Sequence, residues 1–243
     1  MIEKSAGLPF TAFLLAGGLG LRLRTVVFDR PKPMASIGDT PFLEILIDSL
    51  ATKGVREFVL LTGFRGEMIE DFFHRRKRDG ISVKYSREAV PLGTGGAVKN
   101  AERFATDPTL LVNGDTFFDA DLGALYEFHM GKQAQVTLSL YEVEDISRYG
   151  SVCIDNNSRV TGFVEKKQAG GRGLINAGLS LVSADFISRL PEGTYSMEQD
   201  IFTKILGENG MFGLCQDKPF FDIGTPESYE AFNCFIRRFF RRI

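Results

Sequence analysis

The chain has 243 residues, of which 44% are hydrophobic and 25% are charged, as is typical of a soluble globular protein. Its formal net charge of −2 argues against a nucleic-acid binder, which usually carries a basic surplus. The three cysteines form no C-x-x-C pair, which makes a structural zinc site unexpected and fits a reducing cytoplasm.

Apolar runs and amphipathic stretches alternate through the first half of the chain. The apolar runs predict buried strands at residues 11–16, 58–62, 81–85 and 109–112. The amphipathic stretches predict helices at residues 41–53, 67–78 and 94–104. Strands that alternate with helices at this spacing indicate a mostly parallel sheet with helices on both faces. The first apolar run is too short to span a bilayer, so no membrane insertion is expected.

The second half of the chain has a different pattern. Residues 136–141 alternate apolar and polar side chains, with the two-residue period of a half-buried strand. Further strands are predicted at residues 151–154, 160–165 and 175–182, and a helix at residues 197–206. We therefore predict an α/β fold in a single domain, residues 1–243. Its core is a Rossmann-like, doubly wound, mostly parallel sheet, and a small antiparallel extension follows.

A glycine-rich loop follows the first predicted strand. Gly17, Gly18 and Gly20 would let backbone N–H groups approach a phosphate closely. The dinucleotide-binding fingerprint requires a third glycine where Leu23 stands, so a dinucleotide-dependent oxidoreductase is not predicted.

Two cations accompany this loop, Arg22 within it and Lys32 between Pro31 and Pro33. The prolines hold the lysine in an extended, pre-ordered segment. Fixed cations about ten residues apart suit a triphosphate whose leaving group is pyrophosphate. A surface loop with incidental basic residues is the alternative.

An acidic residue, Asp115, follows the strand predicted at residues 109–112. Ligands in open α/β sheets bind beyond the carboxyl ends of strands, which is where Asp115 falls. A helix cap is the alternative role for a lone aspartate at this position. The chain has only two histidines, which is consistent with a reaction that needs no general base.

A set of ordered motifs carries a resemblance to a known family. The motifs are Gly17-Gly18-x-Gly20-x-Arg22-Leu23-Arg24, Pro31-Lys32-Pro33-Met34, the segment 91–97, Asn113-Gly114-Asp115, Phe163-x-Glu165-Lys166, Asn176-Ala177-Gly178 and the segment 221–226. Together they resemble the signature of the sugar-phosphate nucleotidyltransferases. Among the subfamilies, the chain is most similar to bacterial D-glycero-D-manno-heptose 1-phosphate guanylyltransferases.

The resemblance implies the nucleotide-diphospho-sugar transferase fold, with the nucleotide bound by about residues 1–130 and the sugar phosphate by about 131–243. It implies an enzyme that joins a nucleoside triphosphate, with GTP favoured, to a sugar 1-phosphate and releases pyrophosphate. D-glycero-D-manno-heptose 1-phosphate is the favoured acceptor. Mg²⁺ is the implied cofactor, held by Asp115 and Asp222. A homo-oligomer is compatible with the sequence.

The predicted site residues form three groups. The catalytic residues are Arg22, Lys32, Asp115 and Lys166. The nucleotide-binding residues are Ala16, Gly17, Gly18, Gly20, Arg22, Lys32, Glu88, Gly93, Thr94, Gly96 and Asp115. The substrate-binding residues are Gly150, Glu165, Lys166, Asn176 and Ala177, with Lys166 holding the attacking phosphate and Glu165 accepting hydrogen bonds from sugar hydroxyls.

Glu88 is the acidic residue nearest to the 91–97 motif. Guanine offers ring N–H and amino donors on one edge, and a carboxylate accepts both together. We therefore expect Glu88 to read the base, with backbone groups around Gly96 assisting. A solvated loop glutamate is the alternative.

Two other functions fit parts of the pattern. Within the enzyme class, the alternative is a different base or sugar, such as uridylyl transfer to an amino-sugar phosphate. Outside it, the alternative is a non-catalytic regulatory subunit that senses sugar nucleotides. Such a subunit would be expected to lose the loop arginine, the lysine or a metal carboxylate, and all of these are present.

The C-terminal segment predicts an amphipathic helix that begins at Pro226. Six apolar residues recur at three- and four-residue spacing, namely Phe232, Phe235, Ile236, Phe239, Phe240 and Ile243. Four arginines, at 237, 238, 241 and 242, occupy the opposite side. We expect the apolar stripe to pack on the sheet or on a partner subunit, and attachment to a membrane surface is the alternative.

Overall fold

The structure, a computed structural model, describes residues 7–18, 20, 23, 29–164, 170–206 and 210–240. In chain order its strands are β1 (Thr11–Leu15), β2 (Ser36–Ile37), β3 (Thr40–Pro41), β4 (Glu57–Thr62), β5 (Ser82–Arg87), β6 (Thr109–Asn113), β7 (Thr116–Phe118), β8 (Val136–Val143), β9 (Ser151–Ile154), β10 (Val160–Val164), β11 (Gly173–Val182), β12 (Met211–Cys215) and β13 (Phe220–Asp222). The α-helices are α1 (Phe42–Thr52), α2 (Gly66–Arg75), α3 (Gly93–Asn100), α4 (Leu122–Lys132), α5 (Ala184–Ser188) and α6 (Pro226–Phe240).

A seven-stranded sheet forms the centre of the molecule, in the order β12-β8-β11-β6-β1-β4-β5. The strands β6, β1, β4 and β5 run parallel to one another, as does the pair β8 and β12. The long strand β11 is antiparallel to both of its neighbours, β6 and β8. The prediction of a doubly wound, mostly parallel sheet is therefore confirmed.

The small antiparallel extension that the sequence predicts is the two-stranded pair of β9 and β10. The strands predicted at residues 136–141 and 175–182 are not part of this extension. In the structure they form the longer strands β8 and β11, which belong to the central sheet. Most of their residues are buried, because each strand has a neighbour on both sides and helices cover the sheet.

Helices cover both faces of the central sheet and divide the core into two clusters. Along β1 the side chains of Ala12 and Leu14 point into one cluster and that of Phe13 into the other, as the two-residue period of a strand requires. The first cluster is closed by α1, α2, α4 and α6. The second is closed by α3, α5 and a short π-helical turn, Met197–Phe202.

Several elements differ from their predicted bounds. The helix predicted at residues 94–104 ends at Asn100 and is followed by a separate 3₁₀ turn, Glu102–Phe104. The helix predicted at residues 197–206 is reduced to the π-helical turn, in which the carboxylate of Asp200 accepts a hydrogen bond from the N–H of Ser196 at 2.7 Å. Glu165, the last residue of the strand predicted at 160–165, lies outside the described residues.

The C-terminal helix α6 begins at Pro226, as predicted, and packs on the first cluster. Phe232 is fully buried, and its ring contacts those of Phe42, Phe117 and Phe221 at centroid distances of 5.1 to 5.4 Å. Phe235 and Ile236 are partly buried against the same cluster. The expectation that this stripe packs within the protein is confirmed for these residues.

The side chains of Phe239 and Phe240 and the whole of residues 241–243, which complete the predicted stripe, lie outside the described part of the structure. Within the described residues, none of the helices combines the length and the apolar character that crossing a bilayer requires.

Candidate active site

A cavity of about 990 Å³ opens at the carboxyl ends of four neighbouring parallel strands. It is lined there by Leu15 of β1, Leu61 of β4, Arg87 of β5 and Asn113 of β6. Ligands of open α/β sheets bind in this position. The predicted site residues that line the cavity are Gly17, Gly18, Gly20, Lys32, Glu88, Gly93, Thr94 and Asp115.

The glycine loop forms one wall of the cavity. At Gly20, φ is +59° and a Cβ would lie 2.6 Å from the Cβ of Lys32, so glycine at this position makes room for the lysine. Ala16 is fully buried in front of the loop, where its N–H donates to the carbonyl of Leu61 at 2.9 Å. Arg22, a predicted catalytic residue, lies outside the described residues.

Lys32 lies between two carboxylates from distant parts of the chain. Its Nζ is 2.7 Å from Oδ2 of Asp115 and 4.0 Å from Oδ1 of Asp222. The lysine side chain is 9% exposed, that of Asp222 is 16% exposed and that of Asp115 is 39% exposed. The structure therefore brings together three residues that the sequence analysis assigned to catalysis and metal binding.

The pairing of β7 with β13 explains why the two aspartates meet. In this antiparallel pair Asp222 stands opposite Thr116, the residue after Asp115. The N–H of Ile223 then donates to the carbonyl of Asp115 at 3.0 Å. The carboxylate of Asp222 is further held by the N–H of Gly224, at 2.7 Å from Oδ1.

The two carboxylates fit the requirements of a Mg²⁺ ion. Mg²⁺ prefers oxygen ligands, and its sites commonly use one or two carboxylates together with phosphate oxygens and water. Asp115 and Asp222 both face one cationic nitrogen, Nζ of Lys32, so their oxygens already surround a position that favours positive charge. No group of three or more His, Cys, Asp and Glu residues that could hold a metal ion occurs in the described part of the chain. The remaining ligands would therefore come from substrate and solvent.

Glu88 lies on the opposite side of the cavity, directly after β5. Its Oε2 accepts a hydrogen bond from the N–H of Leu92 at 3.0 Å, and its side chain packs against Gly17 and Gly63. Burial raises the pKa of the Glu88 carboxyl above its ordinary value. One oxygen is thus used to hold the turn into α3, and the other faces the backbone of the glycine loop.

The first turn of α3 contributes Gly93 and Thr94 to the cavity lining. Gly96 does not line it: a Cβ at this position would collide with the carbonyl oxygen of Gly193. Gly96 thus allows a close approach between α3 and the segment that precedes the π-helical turn. The same contact region places Glu198, which the sequence analysis missed, in the cavity lining.

The residues predicted for the sugar side are only partly brought to the cavity. Gly150, buried, follows Tyr149, whose ring makes an edge contact with Phe220 at 5.6 Å. Burial raises the pKa of Tyr149, the neighbouring Arg148 opposes this rise, and the negative charge of Asp222 adds to it, so this turn lies near Asp222. Ala177 is fully buried in the core.

A small recess adjoins the main cavity and is lined by Asn176. The Oδ1 of Asn176 accepts a hydrogen bond from the N–H of Gly178 at 3.1 Å, which fixes the amide at a bulge in β11. Glu165 and Lys166, the other predicted sugar-side residues, lie outside the described residues.

Known proteins share the sequence of this chain over most of its length. The family model described as nucleotidyl transferase matches residues 11–238 of the chain. The D-glycero-α-D-manno-heptose 1-phosphate guanylyltransferase of Aneurinibacillus thermoaerophilus is 41% identical over 220 residues, which cover 90% of this chain and 94% of that protein. A protein of the same name from Campylobacter jejuni subsp. jejuni serotype O:2 is 38% identical over 225 residues, which cover 91% of this chain and 97% of that protein.

Solved structures show the same relationship. The crystal structure of HddC from Yersinia pseudotuberculosis matches with a TM-score of 0.83 at 34% sequence identity, and the match covers 91% of this chain and 97% of that one. The structure of the same protein complexed with GMP-PN matches with a TM-score of 0.81 at 33% identity, over the same shares of the two chains.

Proposed function

Because the chain belongs to the nucleotidyl transferase family, we propose that it transfers the guanylyl group of GTP to D-glycero-α-D-manno-heptose 1-phosphate and releases pyrophosphate. Two relatives that share most of their length with this chain carry that activity in their names. The observation that carries the proposal is the meeting of Lys32, Asp115 and Asp222 at the wall of a cavity large enough for a nucleotide.

In the proposed reaction, a phosphate oxygen of the sugar 1-phosphate attacks the α-phosphorus of GTP. A new P–O bond forms there, and the bond from the α-phosphorus to the oxygen that bridges to the β-phosphorus breaks. The electron pair leaves with pyrophosphate. A phosphate monoester has a second pKa of about 6, so the nucleophile is already anionic at neutral pH and no side chain has to remove a proton.

The chain supplies position and charge for this step. Backbone N–H groups of the loop around Gly17 and Gly18 are available to the triphosphate, and Lys32 adds a fixed cation beside them. Asp115 and Asp222 would hold Mg²⁺, which when bound neutralises phosphate charge and polarises the α-phosphate. Arg22 and Lys166 lie outside the described residues. The cation spacing in the sequence assigns Arg22 to the leaving group, and the resemblance assigns Lys166 to the attacking phosphate.

Glu88 is the proposed reader of the base. Its carboxylate lies in the cavity lining at the end of β5, on the side opposite Lys32, and one of its oxygens is held by the N–H of Leu92. A carboxylate fixed in this way would accept hydrogen bonds from guanine, whereas the pairing edges of adenine and cytosine would place an acceptor against it.

The free thiols support a cytoplasmic location. Cys153, Cys215 and Cys234 are all exposed and form no disulfide with one another. Thiols of this kind persist in compartments that are kept reducing.

A substrate screen tests the proposed function. The purified protein is incubated with Mg²⁺, each of the four ribonucleoside triphosphates and several sugar 1-phosphates, and pyrophosphate release is followed. We expect release with GTP and D-glycero-α-D-manno-heptose 1-phosphate to exceed that of every other pair. Preferential use of UTP with an amino-sugar phosphate would replace this assignment with uridylyl transfer.

A further inference from the structure

The cavity contains a carboxylate that the reaction described above does not use, that of Glu198. It is half-buried and belongs to the π-helical turn Met197–Phe202. Its Oε2 accepts hydrogen bonds from Oγ1 of Thr94 at 3.3 Å and from Oγ of Ser196 at 3.4 Å. Its Oε1 makes no hydrogen bond or ion pair with the residues that the structure describes.

Rigid elements hold this carboxylate in place. The hydroxyl of Thr94 also accepts a hydrogen bond from the N–H of Met197 at 2.8 Å, so the same side chain fixes both the backbone and the carboxylate. The segment just before the π-helical turn is also bonded to α3, since the N–H of Gly95 donates to the carbonyl of Tyr195 at 3.0 Å. Met197 and Phe202 are buried in the core on either side. A side chain that is fixed by hydrogen bonds and buried neighbours in this way can bind a ligand with a defined geometry.

The surroundings of Glu198 indicate the chemistry of that ligand. Glu198 and Asn113 line both the main cavity and the small recess, which Asn176 and Ser180 also line. These neighbours are neutral amide and hydroxyl groups, with no cation among the described residues that line the recess. A carboxylate without a neighbouring cation repels phosphate, and it accepts hydrogen bonds but donates none. Among the groups that a sugar 1-phosphate carries, the one that fits is therefore a hydroxyl.

We infer that Glu198 accepts a hydrogen bond from a ring hydroxyl of the sugar 1-phosphate and so determines which sugars are accepted. The inference rests on the proposed function, because it assigns the acceptor side of that reaction. Asn113 and Asn176 complete the polar wall against which the hydroxyl-bearing face of the ring lies. A site built to bond a hydroxyl discriminates strongly against an analogue that lacks it, since the buried acceptor is then left without its donor.

Steady-state kinetics of Glu198→Gln test the assignment. The substitution keeps the shape of the side chain and replaces a charged acceptor with a neutral one. We expect kcat/KM for the sugar 1-phosphate to fall about 10- to 100-fold, the range for a lost hydrogen bond to a charged group. KM for GTP should change less than about twofold. Glu192→Gln, at an exposed glutamate of the neighbouring loop, is the matched control and should retain wild-type values.

Monodeoxy analogues of the sugar 1-phosphate identify the hydroxyl. The penalty of Glu198→Gln should vanish for the one analogue that lacks the bonded hydroxyl and persist for the others. If the penalty instead falls on GTP and vanishes with 2′-deoxy-GTP, Glu198 contacts the ribose and the inference is wrong. An equal penalty with every analogue would also overturn it, because it would indicate a structural role.

The same assay separates this inference from the proposed function. A wild-type protein that transfers guanylyl groups, together with a Glu198→Gln variant whose kcat/KM for the sugar 1-phosphate is unchanged, contradicts the role of Glu198 alone. A wild-type protein that transfers no nucleotide to any sugar phosphate contradicts the proposed function, and the role of Glu198 with it.

Discussion

At the scale of single residues, Lys32 and its two carboxylates illustrate how the local sequence prepares the site. Pro31 and Pro33 restrict the backbone on either side of the lysine, and Gly20 leaves the space that its side chain occupies. The lysine neutralises part of the repulsion between Asp115 and Asp222, whose oxygens lie 2.7 and 4.0 Å from its Nζ. Each of these features is visible in the sequence as a motif, but their contact is visible only in the fold.

Replacement of Asp115 by asparagine tests the catalytic arrangement. The variant keeps the size of the side chain and removes the charge that pairs with Lys32 and would bind Mg²⁺. We expect turnover to fall about 100- to 1,000-fold, as is typical when a preorganised electrostatic contact is lost. Asp119→Asn, at a carboxylate paired with Lys53, is the control on the same segment. Wild-type turnover with unchanged Mg²⁺ dependence in the Asp115 variant would contradict the assignment.

Replacement of Glu88 by glutamine tests base reading. The amide retains an acceptor for the N–H of Leu92 but loses the charge that would bind the donors of guanine. Affinity for GTP should therefore fall by about 10-fold or more, while affinity for the sugar 1-phosphate stays unchanged. Isothermal titration with GTP, and with the sugar phosphate in the presence of a non-hydrolysable nucleotide, measures both. Two unchanged affinities would exclude Glu88 as the reader.

The buried histidine of α4 makes stability depend on pH. Burial lowers the pKa of His129 from 6.5 to about 4, while its Nδ1 lies 2.9 Å from Oγ1 of Thr137. Below pH 6.5 the unfolded chain binds a proton that the folded protein does not bind until about pH 4. Stability therefore falls as the pH falls through this window, by about 2 kcal/mol between pH 7.5 and pH 5.

Urea unfolding at the two pH values measures this loss. The variant His129→Gln cannot bind this proton in either state. Between pH 7.5 and pH 5, the decrease in its free energy of unfolding should therefore be smaller than the decrease in the wild type, by about 2 kcal/mol. An identical pH dependence in the His129 variant and the wild type would show that another group is responsible.

At the scale of elements, the apolar pattern predicted β1, β4, β5 and β6 to within two residues. The strands β1, β4 and β6 are continuous apolar runs because both of their faces are buried. The edge strand β5 packs only one face on the core, so its apolar residues alternate with polar ones. The helix α4 was missed, since its apolar residues are not gathered on one face and its buried side includes His129. The pair β7 and β13 has only three residues in each strand, too few for a periodic pattern. The edge strand β12 was missed because Gly213 interrupts its five-residue apolar run.

The helix α6 shows what an aromatic stripe contributes to stability. Phe232 is fully buried and contacts the rings of Phe42, Phe117, Phe221 and Phe235. Phe232→Ala should lower the free energy of unfolding by about 3–5 kcal/mol, through lost burial and the cavity that remains. Cys234→Ala, at an exposed position of the same helix, should change it by less than about 0.5 kcal/mol. Chemical denaturation measures both, and similar values for the two variants would contradict the packing described for α6.

At the scale of the whole molecule, the site is assembled from segments that the chain separates widely. The motif resemblance identified the family, which the match over residues 11–238 confirms, and it named most residues of the cavity. It did not identify Glu198, because no motif marks that residue. Only the contact of α3 with the π-helical turn, through Thr94, brings it to the cavity. Gly96 was assigned to the nucleotide by the same motif, yet the structure places it against Gly193.

The identity of the transferred group distinguishes a guanylyltransferase from an enzyme that transfers the γ-phosphate and from a non-catalytic sensing subunit. The measurement is ³¹P nuclear magnetic resonance of a reaction that contains the protein, Mg²⁺, GTP and D-glycero-α-D-manno-heptose 1-phosphate. We expect the sugar phosphate signal to be replaced by the two coupled signals of a GDP-sugar, with an equal amount of pyrophosphate. Formation of GDP and a sugar bisphosphate would show transfer of the γ-phosphate instead. Unchanged substrates, together with binding of added GDP-sugar, would identify a sensing subunit and contradict the catalytic account.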